Sequence, residues 1–460
     1  MLLGFHGSGF AALALCYKDP MTSGTPLSSP PQLVRAIGRW SMVALAVNSI
    51  LGSGIFGLPS AVAALVGEWS VWAVLIAGAG MGVIIACYAE VASQFDETGG
   101  TYLYLRHTFG RFVGVQVGWL TLLSRLTACA AAVNLLVIYL GEFWPAAAEP
   151  LPRLAVITVF LCTLAAVNYR GVGAGARVSN VTVVAKLLAL AVVCVAGTIY
   201  LVGHPQVAAR PVEAGLDGWL KAMLLLLFAY GGYEAALNPM GEARNPQRDV
   251  AFALFTALAI LLALYALLQL IVIDLVPDAA HSVRPLADAA RVAMGPAGAA
   301  LISVGALLSV YGYISANMLT VPRSTFALAE RGDFPAWLAA VHPRFRTPHF
   351  SILAFALLLW GFSQFASFSW NVTLSAVARV LFYGGICAAV PVLRRRQPGA
   401  AVYRLPGGLL LPLVGTAICA LLLTRVDFSK SLILLATLTG AAVNWLLVRN
   451  PRRAAAISKA

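Results

Sequence analysis

The sequence predicts an all-α integral membrane protein of about twelve transmembrane helices. Of its 460 residues, 60% are hydrophobic and only 11% are charged, whereas a soluble globular domain carries about 25% charged residues. Mean hydropathy is +0.85. Apolar windows long enough to cross a bilayer recur along the chain, near 41–66, 71–93, 112–140, 154–168, 181–202, 219–240, 251–274, 297–322, 350–367, 372–393, 407–424 and 429–448. Spans of roughly 20 residues use about 240 positions in all and leave loops of ordinary length.

Ahead of the first span, the only apolar run in residues 1–20 is Gly9 to Tyr17, with no charged segment before it and no cleavage site after it. That argues against a secretory signal. Met21 precedes the Ser/Pro-rich stretch Thr22 to Pro31 and competes with Met1 as the start. Residues 1–33 read as a disordered tail.

The loops alternate in charge. Arg35, Arg39, Arg106, Arg111, Arg244, Arg248, Arg394, Arg395 and Arg396 fall on one side, while the other side holds fewer basic residues, among them Arg153, Arg284 and Lys221. The positive-inside rule then places both termini in the cytoplasm of a multi-pass plasma-membrane protein, as in the cytoplasmic membrane of a bacterium. This topology also accounts for the net charge of +13. The basic residues sit singly between hydrophobic runs rather than along one soluble face, which excludes a nucleic-acid surface. Cys16, Cys87, Cys129, Cys162, Cys194, Cys387 and Cys419 are scattered through apolar stretches without metal-ligand spacing, so they read as small buried hydrophobes.

Two spans break their own helix. The first contains Gly52-Ser53-Gly54-Ile55-Phe56-Gly57-Leu58-Pro59 and the sixth Phe228-Ala229-Tyr230-Gly231-Gly232-Tyr233-Glu234. Both sequences are poor material for continuous helix. Paired interruptions at corresponding places in two halves mark a carrier's binding site, because unwound backbone exposes polar groups inside the membrane. Free amides at Gly52, Ser53 and Gly54, where the second half-helix starts, suit a carboxylate. Carbonyls from Phe228 to Gly231, where the first half of span 6 ends, suit an ammonium. The competing explanation is that these small residues merely let helices pack closely.

The chain resembles the amino acid-polyamine-organocation superfamily of permeases. The likeness rests on Gly52-Ser53-Gly54-Ile55-Phe56, on Gly99-Gly100-Thr101-Tyr102-Leu103-Tyr104 with Phe109-Gly110, on Asn168-Tyr169-Arg170-Gly171, and on Gly241-Glu242-Ala243-Arg244-Asn245-Pro246. It implies a LeuT-like fold of two inverted five-helix repeats, 34–203 and 204–396, followed by two further helices and a cytoplasmic tail in 397–460. It also implies transport of amino acids or related amines. Carried over, Gly52, Ser53 and Gly54 would hold the substrate carboxylate, with Ile55 also substrate-binding. Phe228, Tyr230, Gly231 and Gly232 would meet the amino group and shape the pocket, with Phe228 or Tyr230 as a gate. Ser49, Thr121, Arg125 and Asn317 are further candidates to line it.

Charges at membrane depth are functional candidates by default. Lys186, in span 5, resembles a built-in substitute for a coupling sodium ion and is a candidate proton carrier, though a permanent structural cation fits equally. Glu234 is either a proton-sensitive group or a brace for the broken helix. Arg125 and Arg379 must face protein or a cavity, and either could pair with Glu234. Glu90 reads as an ordinary structural residue solvated near the end of span 2. No Asp or Glu in spans 3, 8 or 10 offers to meet a cationic side chain, so neutral amino acids are the expected substrates, with an acidic side chain opposite Arg125 a secondary reading.

No nucleophile with its base, metal cluster or phosphate loop is arranged at membrane depth, and the six histidines form no ligand pair, so an enzyme is not expected. No cofactor and no metal are implied. The expected partners are a small-molecule substrate, protons and the bilayer. The expected activity is proton-coupled symport by alternating access. An exchanger without ion coupling is the alternative within the same class, and a non-transporting amino acid sensor the alternative outside it.

Overall fold

A computed structural model describes residues 35–171, 175–204 and 214–448. The N-terminal tail, both candidate start sites and Cys16 lie outside the described residues. Among those described there is no strand. One isolated parallel bridge joins Ile37 to Ala243, with Ile37 N–H donating to the Glu242 carbonyl at 3.0 Å and Arg244 N–H to the Ile37 carbonyl at 2.9 Å.

The first expected span is two helices, α1 (Arg39–Ile50) and α2 (Gly54–Val66). A 3-10 turn at Gly67–Trp69 leads into α3 (Ser70–Ala92), then α4 (Gly100–Phe109) and α5 (Arg111–Leu140). There follow α6 (Pro150–Arg170), α7 (Gly175–Gly203), α8 (Leu216–Tyr230), α9 (Pro246–Leu275) and α10 (Pro285–Glu330). The chain closes with α11 (His349–Phe365), α12 (Phe368–Arg396), α13 (Leu410–Leu423) and α14 (Phe428–Val448).

Eight helical runs among the described residues are long and apolar enough to cross a membrane. One is the 39-residue run through α2 and α3, and another is the 46-residue α10, bent at Gly295, where φ is +73°. The expected spans at 41–66 and 219–240 are not continuous helices. The second departs furthest from expectation: α8 stops at Tyr230, and the chain runs through short 3-10 turns at Tyr233–Ala235 and Met240–Glu242 before α9 begins. The segments expected at 350–367 and 407–424 form helices of 17 and 14 residues, shorter than the roughly 20 residues that cross a bilayer unaided.

Burial sorts these helices. In α5, 78% of the most apolar window is enclosed by protein, against 17% in α6 and in α14; α5 therefore lies at the centre and the other two at the rim. The outward faces are apolar as well, with Leu188, Ile199, Leu357 and Leu435 all exposed, as a lipid-facing perimeter requires. Cys87, Cys129, Cys387 and Cys419 are buried as expected, whereas Cys162 is exposed on α6.

Two buried acids fasten the ends of helices. Glu90 is wholly buried rather than solvated. It takes a fork from Arg394 at 2.6 and 2.7 Å and the Leu405 N–H at 2.8 Å, so its role is structural for a different reason: it is matched by donors, not by water. Asp333 accepts from Arg106 and Arg111, each at 2.7 Å, and from the Tyr102 hydroxyl, joining α4 and α5 to the turn after α10.

Candidate functional site

The break in span 1 is three residues long. Leu51 N–H still donates to Val47, Gly52 N–H turns back to Ile50 at 2.7 Å, and Gly54 opens α2. Among the described residues the amides of Ser53, Gly54 and Ile55 have no main-chain acceptor, as expected of a helix N-terminus. The Ser53 hydroxyl is buried and also lacks a partner. This end of α2 therefore presents donors and the positive end of a helix dipole. The other side of the break is capped by Lys186 of α7, whose ammonium donates to the Leu51 carbonyl at 2.7 Å and to that of Asn48 at 3.4 Å. A cation at the C-terminal carbonyls of α1 satisfies both the orphan acceptors and the dipole.

The break in span 6 is held by side chains. Gly231 is extended (φ −77°, ψ 164°) and Gly232 has φ +113°, a conformation that other residues adopt only under strain. A Cβ on Gly232 would also meet the Ser49 carbonyl at 2.5 Å. Glu234 accepts the Gly232 N–H at 2.9 Å and the Tyr383 hydroxyl at 3.2 Å, and its other oxygen lies 3.7 Å from Arg379 Nε. Arg379 donates to the Ser124 hydroxyl at 3.1 Å and to the Phe228 carbonyl at 3.3 Å, with its guanidinium 5.4 Å from the centre of the Phe228 ring. Both charges are about 5% exposed, a degree of burial tolerated only because each is matched. Behind them Tyr88, Tyr233 and Tyr383 pack ring on ring at 5.1–5.6 Å.

The two breaks touch. A Cβ on Gly54 would lie 3.2 Å from the Ala229 Cα. Between them is a small pocket of about 10 Å³, lined by Gly52, Ser53, Gly54, Phe228, Gly231 and Arg379 among others, large enough for about one water. Ser49, Tyr313 and Arg379 also line a far larger cavity of about 1440 Å³. That cavity reaches Ile37, Tyr102, Glu242 and Arg331.

Of the residues singled out from sequence, Gly52, Ser53, Gly54, Phe228 and Gly231 face the small pocket, while Ser49, Thr121, Arg125, Lys186, Gly232, Glu234 and Asn317 face the large one. Two are elsewhere. Ile55 is buried and lines neither cavity, and Tyr230 turns away, its hydroxyl donating to the Val74 carbonyl at 3.1 Å and its ring lying against Tyr265. Tyr230 is two residues from Phe228 and so about 200° round the helix; the two cannot share a face. Arg379, not Arg125, is the partner of Glu234. Sequence reasoning missed Ser124, Tyr313 and Tyr383. The run Gly312-Tyr313-Ile314-Ser315-Ala316-Asn317, polar at every second residue inside an apolar span, is the signal that could have found Tyr313.

A helical membrane protein with its charges and open backbone gathered round an internal cavity, not round a reaction centre, is a transporter by class. The chain belongs to the amino acid permease family, whose model matches residues 37–443, within the amino acid-polyamine-organocation superfamily. It is 31% identical to an uncharacterized transporter of Mycobacterium tuberculosis, over 78% of this chain and 80% of that one. It is 26% identical to the methylthioribose transporter of Bacillus subtilis, covering 88% and 91% respectively. With the serine/threonine exchanger of the same organism it shares 29% identity, over 84% and 89%. It is thus a multi-pass transporter rather than an enzyme.

Proposed function

We propose that the protein is a secondary active transporter of amino acids that works by alternating access. In this reading twelve spans form a LeuT-like fold, with inverted repeats in 34–203 and 204–396, two further helices after them, and both termini in the cytoplasm of a bacterial cell. The observation that carries it is the α2 N-terminus. The amides of Ser53 and Gly54 and the Ser53 hydroxyl, all without protein partners among the described residues, lie beside the small pocket that adjoins the large cavity. A substrate carboxylate accepts from these groups, and its ammonium lies toward the Phe228 end of α8.

Proton coupling runs through Lys186 in this scheme. Its ammonium ties α7 to the α1 carbonyls, so loss of its proton removes the charge and weakens that hold on the broken helix, and movement of that helix is what access to the other side requires. Glu234, locked onto Gly232 and Arg379, acts as the brace. Exchange of one amino acid for another is the second reading, favoured by the likeness to the serine/threonine exchanger.

Uptake into proteoliposomes of a labelled amino acid panel, with and without an imposed pH gradient and with and without internal amino acid, tests these points. At least one member should enter or exchange; entry of none would refute amino acid transport. Lys186→Ala should abolish acceleration by an inward proton gradient, and acceleration equal to that of the unmodified protein would remove Lys186 from coupling. Uptake that needs internal amino acid and ignores the gradient would replace symport with exchange.

A further inference from the structure

We propose that Arg125 forms a second anion subsite, so that the preferred substrate is an α-amino acid whose side chain ends in a carboxylate. The inference rests on the amino acid reading above and replaces its expectation of a neutral side chain.

The two arginines at membrane depth have different circumstances. Arg379 is buried and matched by Glu234, Ser124 and the Phe228 carbonyl. Arg125 is half-buried on the cavity wall, and among the described residues it has neither an ion pair nor a hydrogen bond. A guanidinium on the wall of a water-filled cavity at that depth keeps its donors open to a solute, and its planar fork matches a carboxylate.

Its surroundings point the same way. Gly118, Thr121, Leu122 and Arg125 form one face of α5 toward the cavity, as their spacing of three and four residues requires. The Thr121 hydroxyl on that face is buried without a partner, as is the amide oxygen of Asn317 across the cavity. The subsite also adjoins the small pocket. Ser124, the chain neighbour of Arg125, takes the hydrogen bond from Arg379, and Tyr313, which lines both cavities, is within electrostatic reach of Arg125 and Arg379.

The charges of the cavity do not balance. Arg125, Lys186, Arg331 and Arg379 line it against only Glu234 and Glu242. A zwitterion leaves that excess untouched, whereas a substrate with one further negative charge offsets part of it and gives Arg125 a partner. A cationic side chain would face repulsion from the same wall.

Competition against a transported label in proteoliposomes should therefore rank glutamate above glutamine and aspartate above asparagine. These pairs are matched in size and differ in charge, and the better-fitting acid should exceed its amide by about tenfold or more, as a charge-assisted pair supports. In Arg125→Gln the ratio of acid to amide should fall to near one, and Arg125→Lys should recover part of it. If neutral amino acids are carried and neither acid competes better than its amide, the subsite is refuted while amino acid transport stands. If no amino acid is carried, the functional reading beneath it fails first. An unchanged ratio in Arg125→Gln would assign Arg125 to movement of the helix rather than to the substrate and would overturn the proposal.

Discussion

The two helix breaks that meet at the small pocket are made from similar glycine-rich sequences yet are finished differently. At span 1, α2 resumes after three residues with its first amides and the Ser53 hydroxyl unengaged. At span 6 no α-helix resumes before Pro246, and the exposed groups are met by the protein itself: Glu234 takes the Gly232 amide, Arg379 reaches the Phe228 carbonyl, and Tyr265 donates to the Ala229 carbonyl at 3.2 Å. One break is a receptor in waiting and the other a fastened joint. A ligand ammonium arriving at the second must share acceptors that Arg379 and Tyr265 already use. Recognition of the substrate's head group should therefore depend more on span 1, and the stability of the closed joint more on span 6.

Removing Arg379 tests that division most severely. Arg379→Ala leaves the Glu234 carboxylate buried with only its Gly232 and Tyr383 bonds, and should lower stability by about 3–5 kcal/mol. A detergent-solubilised thermal melt should show a fall of many degrees. An unchanged melt would mean that Glu234 does not need its cation.

Smaller, and more direct as a comparison, is one methyl group added at each break. Gly232→Ala must hold φ near +113° and meet the Ser49 carbonyl at 2.5 Å, which should cost about 1–3 kcal/mol for the backbone alone and impair transport. Gly52→Ala meets nothing nearer than the Tyr313 ring at 3.6 Å, an ordinary contact, and should fold as the parent does. Equal losses of thermal stability in the two variants would erase the distinction between the breaks.

The smallest change concerns binding alone. Ser53→Ala removes a buried hydroxyl that has no protein partner, so the melt should not fall. The KM for the transported amino acid should rise about tenfold to a hundredfold, the loss of one hydrogen bond to a charged group. A lower melting temperature with an unchanged KM would place that hydroxyl in packing rather than in recognition.

How far the sequence could be read varies along the chain for physical reasons. Hydropathy located α3, α5, α9 and α12 to within a few residues, because a bilayer selects for apolar runs of fixed length. The span 1 break was equally visible, since Gly52 lies within it, Gly54 opens the next helix and Pro59 follows. The collapse of span 6 beyond Tyr230 was not. Tyr233 to Leu237 contains no helix breaker of its own; its conformation depends on Glu234 reaching back to Gly232 and on Tyr233 packing against Tyr88 and Tyr383, which lie far away in sequence. The pairing of Arg379 with Glu234 was one of two options that composition left equal, and only the packing of α12 on α5 and α8 decides it. Tyr230 is a different case, because helical phase alone sets it opposite Phe228.

The disparity between the two adjoining cavities bears on which solutes can be told apart. The larger has space for several tens of water molecules, so a solute entering it need not shed its hydration until its head group reaches the narrow recess at the bottom. Bulk beyond the α-carbon then extends into a wide aqueous vestibule and meets little steric resistance from this side. A wall of that kind discriminates by charge far better than by girth, and substrates of quite different lengths should be accepted provided their polar ends are the same.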